Sequence, residues 1–272
     1  MNSGESGKDP VPATSGSGDI ARSLELLWGL GEPPNRGPKR GLTLEQITTA
    51  AVAVADAEGL AAVSMRRLST DLGVGTMSLY RYVPGKAELL DLMLDHVQGL
   101  VIAGPGEPPA DWREAVRRLG RVELRMYRER PWLLKVNQAR TALGPNTMRS
   151  MELALAGLRG MGLTDPETIG VIVAVHNYTA GVARMELDTA EAAQQTGVSD
   201  EEFWTQQGPF LDRAMRSGEF PLTAALSDDT FSADFDHFEF GLNALVTGFE
   251  AVVAERRRLP EGSEVPEDSE GS

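Results

Sequence analysis

The chain has 272 residues, 41% of them apolar, with a formal net charge of −14, no cysteine and three histidines, His96, His176 and His237. That length leaves room for one elongated or two modest cores, and the absence of thiols excludes disulfides, thiolate zinc sites, cysteine nucleophiles and iron–sulfur clusters. The acidic balance excludes a surface that coats nucleic acid generally, because neutralising phosphates takes a surplus of Lys and Arg, so any DNA contact must be local. The compartment these features imply is a reducing one, most simply the cytoplasm.

Residues 1–20 are rich in Gly, Ser, Pro and acids without an apolar run, and read as a disordered tail rather than a signal or transit peptide. In residues 21–40 a short apolar patch, Leu24, Leu26, Leu27, Trp28 and Leu30, ends at Gly31-Glu32-Pro33-Pro34 and reads as one helical turn docked on the body. A basic, extended arm follows, Arg36-Gly37-Pro38-Lys39-Arg40. From Thr43 the period is helical. Thr43 and Gln46 form a capping box, and Leu44, Ile47, Ala51, Val54 and Ala55 share one face before Gly59 stops the helix. A second helix starts at the Ser64 cap, buries Met65, Leu68 and Leu72 and ends at Gly73. A third covers about 76–82 and is halted by Pro84, and a fourth starts at Gly85-Lys86 with Leu89, Leu90, Met93, Leu94 and Val97 inward.

The Gly/Pro-rich stretch 104–109 is the clearest boundary between domains. Beyond it helices are expected over 111–129, 132–140, 146–161, 166–188, 201–217 and 235–258, with an acidic tail at 259–272. Essentially no window has the alternating period of a strand, so the fold class is all-α. The uncharged run from Ile169 to Ala183 is shorter than the roughly 20 residues that span a bilayer.

The third helix is too short to be held by its own burial, so its neighbours must hold it to present its outer face. That face carries Thr76, Met77, Ser78, Tyr80, Arg81 and Tyr82, while Leu79 and Val83 point inward. Small polar groups to reach base edges, with Tyr and Arg to hold phosphates, suit a recognition helix. A solvated helix whose tyrosines pack on the fourth helix suits the same pattern equally well.

The runs Ser64-Met65-Arg66-Arg67-Leu68, Leu72-Gly73-Val74-Gly75, Leu79-Tyr80-Arg81-Tyr82-Val83 and Lys86-x-Glu88-Leu89-Leu90 resemble the DNA-binding domain of the TetR family of repressors, over about 43–94 without a gap. The apolar patch and basic arm resemble a group of actinobacterial members. The resemblance implies an N-terminal three-helix helix-turn-helix domain at 41–102 and a C-terminal helical ligand-binding and dimerisation domain at 110–258. It implies that Arg66 contacts DNA from the second helix and that Thr76, Met77 and Ser78 read bases. Tyr80, Tyr82 and Lys86 would grip phosphate, Lys86 from the positive N-terminus of its helix, and Arg81 would reach a guanine or a phosphate. The family often has Ser or Thr where Gly75 and Gly85 stand here, which leaves backbone N–H groups alone for that task. The partners implied are a palindromic double-stranded operator, a small-molecule effector and a second copy of the chain.

Between Arg36 and Gly99, Arg36, Lys39, Arg40, Arg66, Arg67, Arg81 and Lys86 balance Glu45, Asp56, Glu58, Asp71, Glu88, Asp91 and Asp95, so this region is neutral while the rest is acidic. In 166–188 the small residues Gly170, Ala174, Asn177 and Gly181 recur at helical spacing. In 235–258, Gly241, Ala244, Gly248 and Ala251 do the same beside Leu245, Phe249 and Val252. Helices apolar all round are buried on two sides, which suits either a dimer interface or the centre of a monomeric bundle. His176, Asn177 and Tyr178 lie within the apolar run, where polar groups need partners. His176 and Asn177 could line an effector cavity with Met126, Trp132 and Asn137, although taken singly each reads more readily as a satisfied core or interface group. No nucleophile elbow, P-loop, zinc motif or cofactor fingerprint is present, so no enzyme, cofactor or metal site is expected. The expectation is a repressor released by its effector. An activator or ligand-independent regulator of the same fold, or an all-α enzyme, are the alternatives.

Overall fold

A computed structural model describes residues 13–30, 42–102, 109–227, 230 and 234–258. The first twelve residues, the basic arm, most of the Gly/Pro stretch and the acidic C-terminal tail lie outside the described residues. The chain divides into two compact units, residues 1–172 and 173–272.

The first unit holds α1 (Ile20–Leu27), α2 (Leu44–Glu58), α3 (Met65–Asp71), α4 (Thr76–Tyr80), α5 (Lys86–Ile102), α6 (Trp112–Glu129) and α7 (Pro145–Leu158); α1, α2 and α7 pack on α5, α3 packs on α2 and α4, and α6 packs on α7. The expected caps form. Thr43 and Gln46 close a reciprocal capping box on α2, and the Ser64 side chain accepts from Arg67 N at the start of α3. Ile47, Ala51, Leu68, Leu79, Val83, Leu89, Met93 and Val97 are buried together with little or no exposure. Burying each of the larger of these side chains, Val, Leu, Ile or Met, contributes about 1.5–3 kcal/mol.

What organises the unit beyond this core is a stripe of carboxylates on α5. Leu89, Leu90, Leu92, Met93 and Leu94 are all buried, and so are the acids among them, Glu88, Asp91 and Asp95. At i, i+3 and i+7 the three share a face, and each holds a different segment. Glu88 Oε1 accepts from Asp19 N at 3.0 Å, at the N-cap of α1. Asp91 accepts from Ser15 Oγ at 2.7 Å, Gly16 N at 2.9 Å and Ser23 Oγ at 2.7 Å. Asp95 accepts from Asn146 N at 3.3 Å and from Thr147 N and Oγ1 at 2.8 and 2.9 Å, where α7 begins. Negative groups at helix N-termini satisfy orphan N–H groups and complement the helix dipole. Two glycines allow the approach. A Cβ at Gly18 would collide with Glu88, and one at Gly144 with the Asp95 carboxylate.

Residues 13–19, expected to be disordered, are therefore held on α5. Ala13–Thr14 also forms a two-residue parallel strand, β1, with β2 (Val136–Asn137), and Ser15 N donates to Asn137 O at 3.0 Å. The α1 patch docks on α5 as expected, as two turns rather than one, and Trp28 Nε1 donates to Leu143 O at 3.0 Å. The helix expected at 132–140 is corrected by the same contacts. A 3-10 turn, Pro131–Lys135, gives way to β2, because backbone paired with β1 cannot also serve a helix.

The helix α8 (Asp165–Thr196) runs through the division, and the second unit holds most of it with α9 (Asp200–Met215), α10 (Pro221–Ala224) and α11 (His237–Arg256). Within that unit Tyr178 stacks on Phe238 with ring centroids 5.8 Å apart. Its hydroxyl donates to the carbonyls of His237 and Phe238, each at 3.0 Å. A Cβ at Gly241 would strike this phenol. Gly241 thus belongs to a contact within the chain, whereas the surroundings of Gly248 are open. Gly241→Ala should lower the stability of this unit by roughly 1–3 kcal/mol through overpacking. A melting temperature in calorimetry no lower than that of the parent would contradict this packing account.

Candidate nucleic-acid interface

α3 and α4 form a compact pair. Gly73, at φ +66°, supplies the left-handed turn between them. Ser69 Oγ and Thr76 Oγ1 lie 3.0 Å apart across it, and Gly75 caps α4 without a side chain. Leu79 is fully buried and Val83 closes the same side. The outer face then follows from helical spacing. Met77 is 77% exposed and Tyr80 44%, and Arg81 is exposed beside them with Nη2 donating to Ser78 Oγ at 3.3 Å. Tyr82 is half-buried and Lys86 is exposed at the first residue of α5.

The two adjacent arginines of α3 differ. Arg67 donates to both carboxylate oxygens of Glu58 at 2.9 and 2.6 Å and to Asp71 at 2.8 Å. The hydrogen bond from Arg67, followed by its charge, holds the Glu58 carboxyl below its ordinary range. The hydrogen bonds that it donates to Glu58 and Asp71 push the Arg67 guanidinium above its own. Arg67 therefore clamps α2 to α3, and Arg66 is the exposed one of the pair. The neutral charge count in the sequence conceals a positive face. Glu58 and Asp71 are occupied by Arg67, and Glu88, Asp91 and Asp95 are buried, which leaves Arg66, Arg81 and Lys86 exposed around α4.

The eight residues expected at DNA lie on α3, on α4 and the turn after it, and at the start of α5. Thr76, Ser78 and Tyr82 are half-buried, Thr76 as the link to Ser69. Gly75 has room for a larger residue, but a Cβ at Gly85 would press on Glu88 Oε2. This accounts for glycine at Gly85.

Two family models match the chain: "Bacterial regulatory proteins, tetR family" over residues 47–93 and "Tetracyclin repressor-like, C-terminal domain" over 104–253. The chain belongs to the TetR family. It is a DNA-binding transcriptional regulator of all-α fold. It is 52% identical over 261 residues to the HTH-type transcriptional repressor DrrR1 of Streptomyces coeruleorubidus, covering 94% of this chain and 95% of that one. An HTH-type transcriptional regulator of Saccharopolyspora erythraea is 29% identical over 83% of this chain and 92% of its own length. Among solved structures, the TetR-family protein ActR of Streptomyces coelicolor in complex with actinorhodin superposes with a TM-score of 0.63 at 31% identity, over 81% of this chain and all of that one. Among the described residues no helix is long and apolar enough to cross a membrane.

The five residues expected at an effector lie in several settings. Met126 is buried on α6 and lines a groove there. Trp132 is buried, and its Nε1 donates to Asp56 of α2 at 2.7 Å, so it joins the helix-turn-helix to the segment after α6. Asn137 is exposed in β2 and accepts from Ala139 N at 3.0 Å. His176 and Asn177 are on α8 in the second unit, and both are exposed in the single chain. The expectation that these two are buried within the apolar run is corrected, because the buried side of α8 there is Val175 and Thr179.

Proposed function

We propose that this TetR-family regulator is a cytoplasmic repressor that binds a palindromic operator as a homodimer and is released by a small-molecule effector. The observation that carries the DNA reading is the exposed set of Met77, Tyr80 and Arg81 on α4 and its C-cap, with Arg66 on α3 and Lys86 at the start of α5 also exposed, while Glu58 and Asp71 are paired with Arg67 and the α5 acids are buried. In this reading Met77 and Ser78 read bases, with Thr76 setting the α3–α4 angle. Arg66, Tyr80, Tyr82 and Lys86 hold phosphate, and Arg81 reaches a base or a phosphate. A two-fold dimer places its two copies of α4 in successive major grooves about 34 Å apart. An effector that binds one arrangement of the pair better than the other shifts the population away from that spacing. The division of labour proposed is DNA binding by 41–102 and effector binding and dimerisation by 110–258. The names of the repressor DrrR1 and of the ActR–actinorhodin complex support this reading.

The test is operator recovery followed by variant titration. DNA fragments retained by the purified protein should share a palindrome. Tyr82→Ala and Lys86→Ala should weaken binding to specific and random duplexes alike, and Lys86→Ala should also reduce the slope of log affinity against log salt by about one unit. Met77 or Ser78 substitutions should instead alter preference among operators. Gel shifts in which Tyr82→Ala and Lys86→Ala match the parent would show that DNA binds elsewhere.

A further inference from the structure

Asp56 and Glu58 stand two positions apart in the last turn of α2, a spacing that puts them on opposite sides of a helix. Each carboxylate serves a different element. Glu58 takes both terminal nitrogens of Arg67 on α3, at 2.9 and 2.6 Å. Asp56 turns the other way, to the segment that follows α6. Its Oδ1 accepts from Trp132 Nε1 at 2.7 Å, and its Oδ2 lies 3.4 Å from Arg130 Nε. α2 therefore has two seats, one on α5 and one on the 3-10 turn Pro131–Lys135.

The Trp132 side of this junction is rigid. Pro131 fixes the backbone where the turn begins, Leu133 N donates to Arg130 O at 3.0 Å, and Trp132 is 3% exposed. An indole N–H can only donate, and stranding it away from water costs free energy, so the buried ring holds Asp56 in one direction. On the far side of α2 the hold continues. Arg67 ties α3 to α2, and Ser69 Oγ meets Thr76 Oγ1 at 3.0 Å to tie α4 to α3. Side-chain links thus join the turn after α6 to the candidate recognition helix, running from Trp132 and Asp56 through Glu58 and Arg67 to Ser69 and Thr76.

We infer that Trp132 and Asp56 are positioning residues for operator binding: their hydrogen bond sets the angle of the helix-turn-helix on the segment after α6, and through it the half-site spacing that a dimer accepts. The inference rests on the reading of the chain as a dimer on a palindrome and adds the residues that set the spacing. In that reading each α4 reaches its groove from a body fixed by the dimer contact, so freedom at the junction becomes freedom in the distance between the two copies of α4. One base pair added or removed at the centre of a palindrome moves its half-sites by about 3.4 Å and turns them by about 35°. To follow that change the parent dimer must break the Trp132–Asp56 bond or give up a half-site. A chain without the bond pays neither cost.

The test uses the full-length protein and a palindrome recovered from the DNA it retains, with versions carrying one central base pair more or fewer. The quantity read is the ratio of affinities for the original and the altered spacing. Trp132→Phe keeps a buried ring and removes the N–H. Asp56→Ala removes the acceptor at a partly exposed helical position that suits alanine. Each should lower the ratio roughly tenfold, with the salt slope of binding unchanged because no phosphate contact is lost. Asp56→Asn keeps an oxygen for Trp132 Nε1 and should retain most of the ratio. A purely structural role would lower the melting temperature and weaken every spacing alike, so an unchanged ratio in Trp132→Phe and Asp56→Ala overturns the inference. A loss as large in Asp56→Asn as in Asp56→Ala overturns it as well. A parent that binds all spacings equally overturns it while leaving the DNA reading in place, whereas retained fragments without a palindrome overturn the dimer-on-palindrome reading and this inference with it.

Discussion

Asp91→Ala should destabilise the first unit by about 3 kcal/mol and free its N-terminal segment from α5. Asp91 is 1% exposed, and its carboxylate is the common acceptor for Ser15, Gly16 and Ser23. Hydrogen bonds to a charged group contribute about 1.5–3 kcal/mol each, and removing a shared acceptor strands its buried donors. The full sum is not reached, because residues 13–27 can lift off and hydrate those donors. Lifting costs the β1–β2 pairing and the α1–α5 packing instead. Asp91→Asn should be milder, since its amide oxygen can still accept while its NH2 faces donors. Urea denaturation should show a lower midpoint for Asp91→Ala, and trypsin should cleave faster after Arg22. An unchanged midpoint with Arg22 equally protected would mean that the carboxylate does not hold the segment.

That network shows which parts of the fold local sequence patterns reveal. The helix-turn-helix was legible because its signals are contiguous: the Thr43–Gln46 box, the Ser64 cap, the Gly73 turn and the two inward residues Leu79 and Val83 all act within a few positions. The seating of residues 13–19 depends on Asp91, 68 to 76 positions away from its partners, and a Gly/Ser-rich stretch carries no periodicity of its own to announce it. A trace was nevertheless present. With Leu89, Leu90, Leu92, Met93 and Leu94 spread around α5, no face remained for solvent, so the acids between them had to be buried and paired.

The candidate DNA face was legible in residue type and less so in electrostatics. Counting charges along the chain treats Arg66 and Arg67 alike, yet Glu58 and Asp71 lie at the right positions to occupy only Arg67. The effector residues were the least legible. Trp132, conspicuous as a large flat side chain, is engaged by Asp56 of α2, 76 positions away, and His176 and Asn177 are exposed although their neighbours in sequence are apolar.

Gly248→Leu should leave the single chain folded and weaken its self-association about a hundredfold. Nothing lies within 4 Å of a Cβ placed at Gly248, and Ala244 and Ala251 are exposed on the same helix beside Phe240 and Val252. On α8, Val173, Asn177 and Gly181 leave a comparable surface open. Large exposed side chains beside small ones favour a close helix contact with another copy, and a C2 pair meets through the same patch on both subunits. A leucine there meets no clash within its own chain and gains about 0.8 kcal/mol or so of helix propensity over glycine. Across a close interface it is met twice by symmetry, at roughly 1–3 kcal/mol per site of overpacking, enough to weaken the dimer about a hundredfold. Sedimentation at micromolar concentration should therefore find a dimeric parent and a monomeric Gly248→Leu with unchanged helicity. Operator affinity should fall as well, because each half-site would have to bind alone. Gly241→Ala should show the opposite pattern, a lower melting temperature with association retained, because its obstacle is Tyr178 of the same chain. A monomeric parent, or a Gly248→Leu dimer as tight as the parent, would place the subunit contact away from this face of α11.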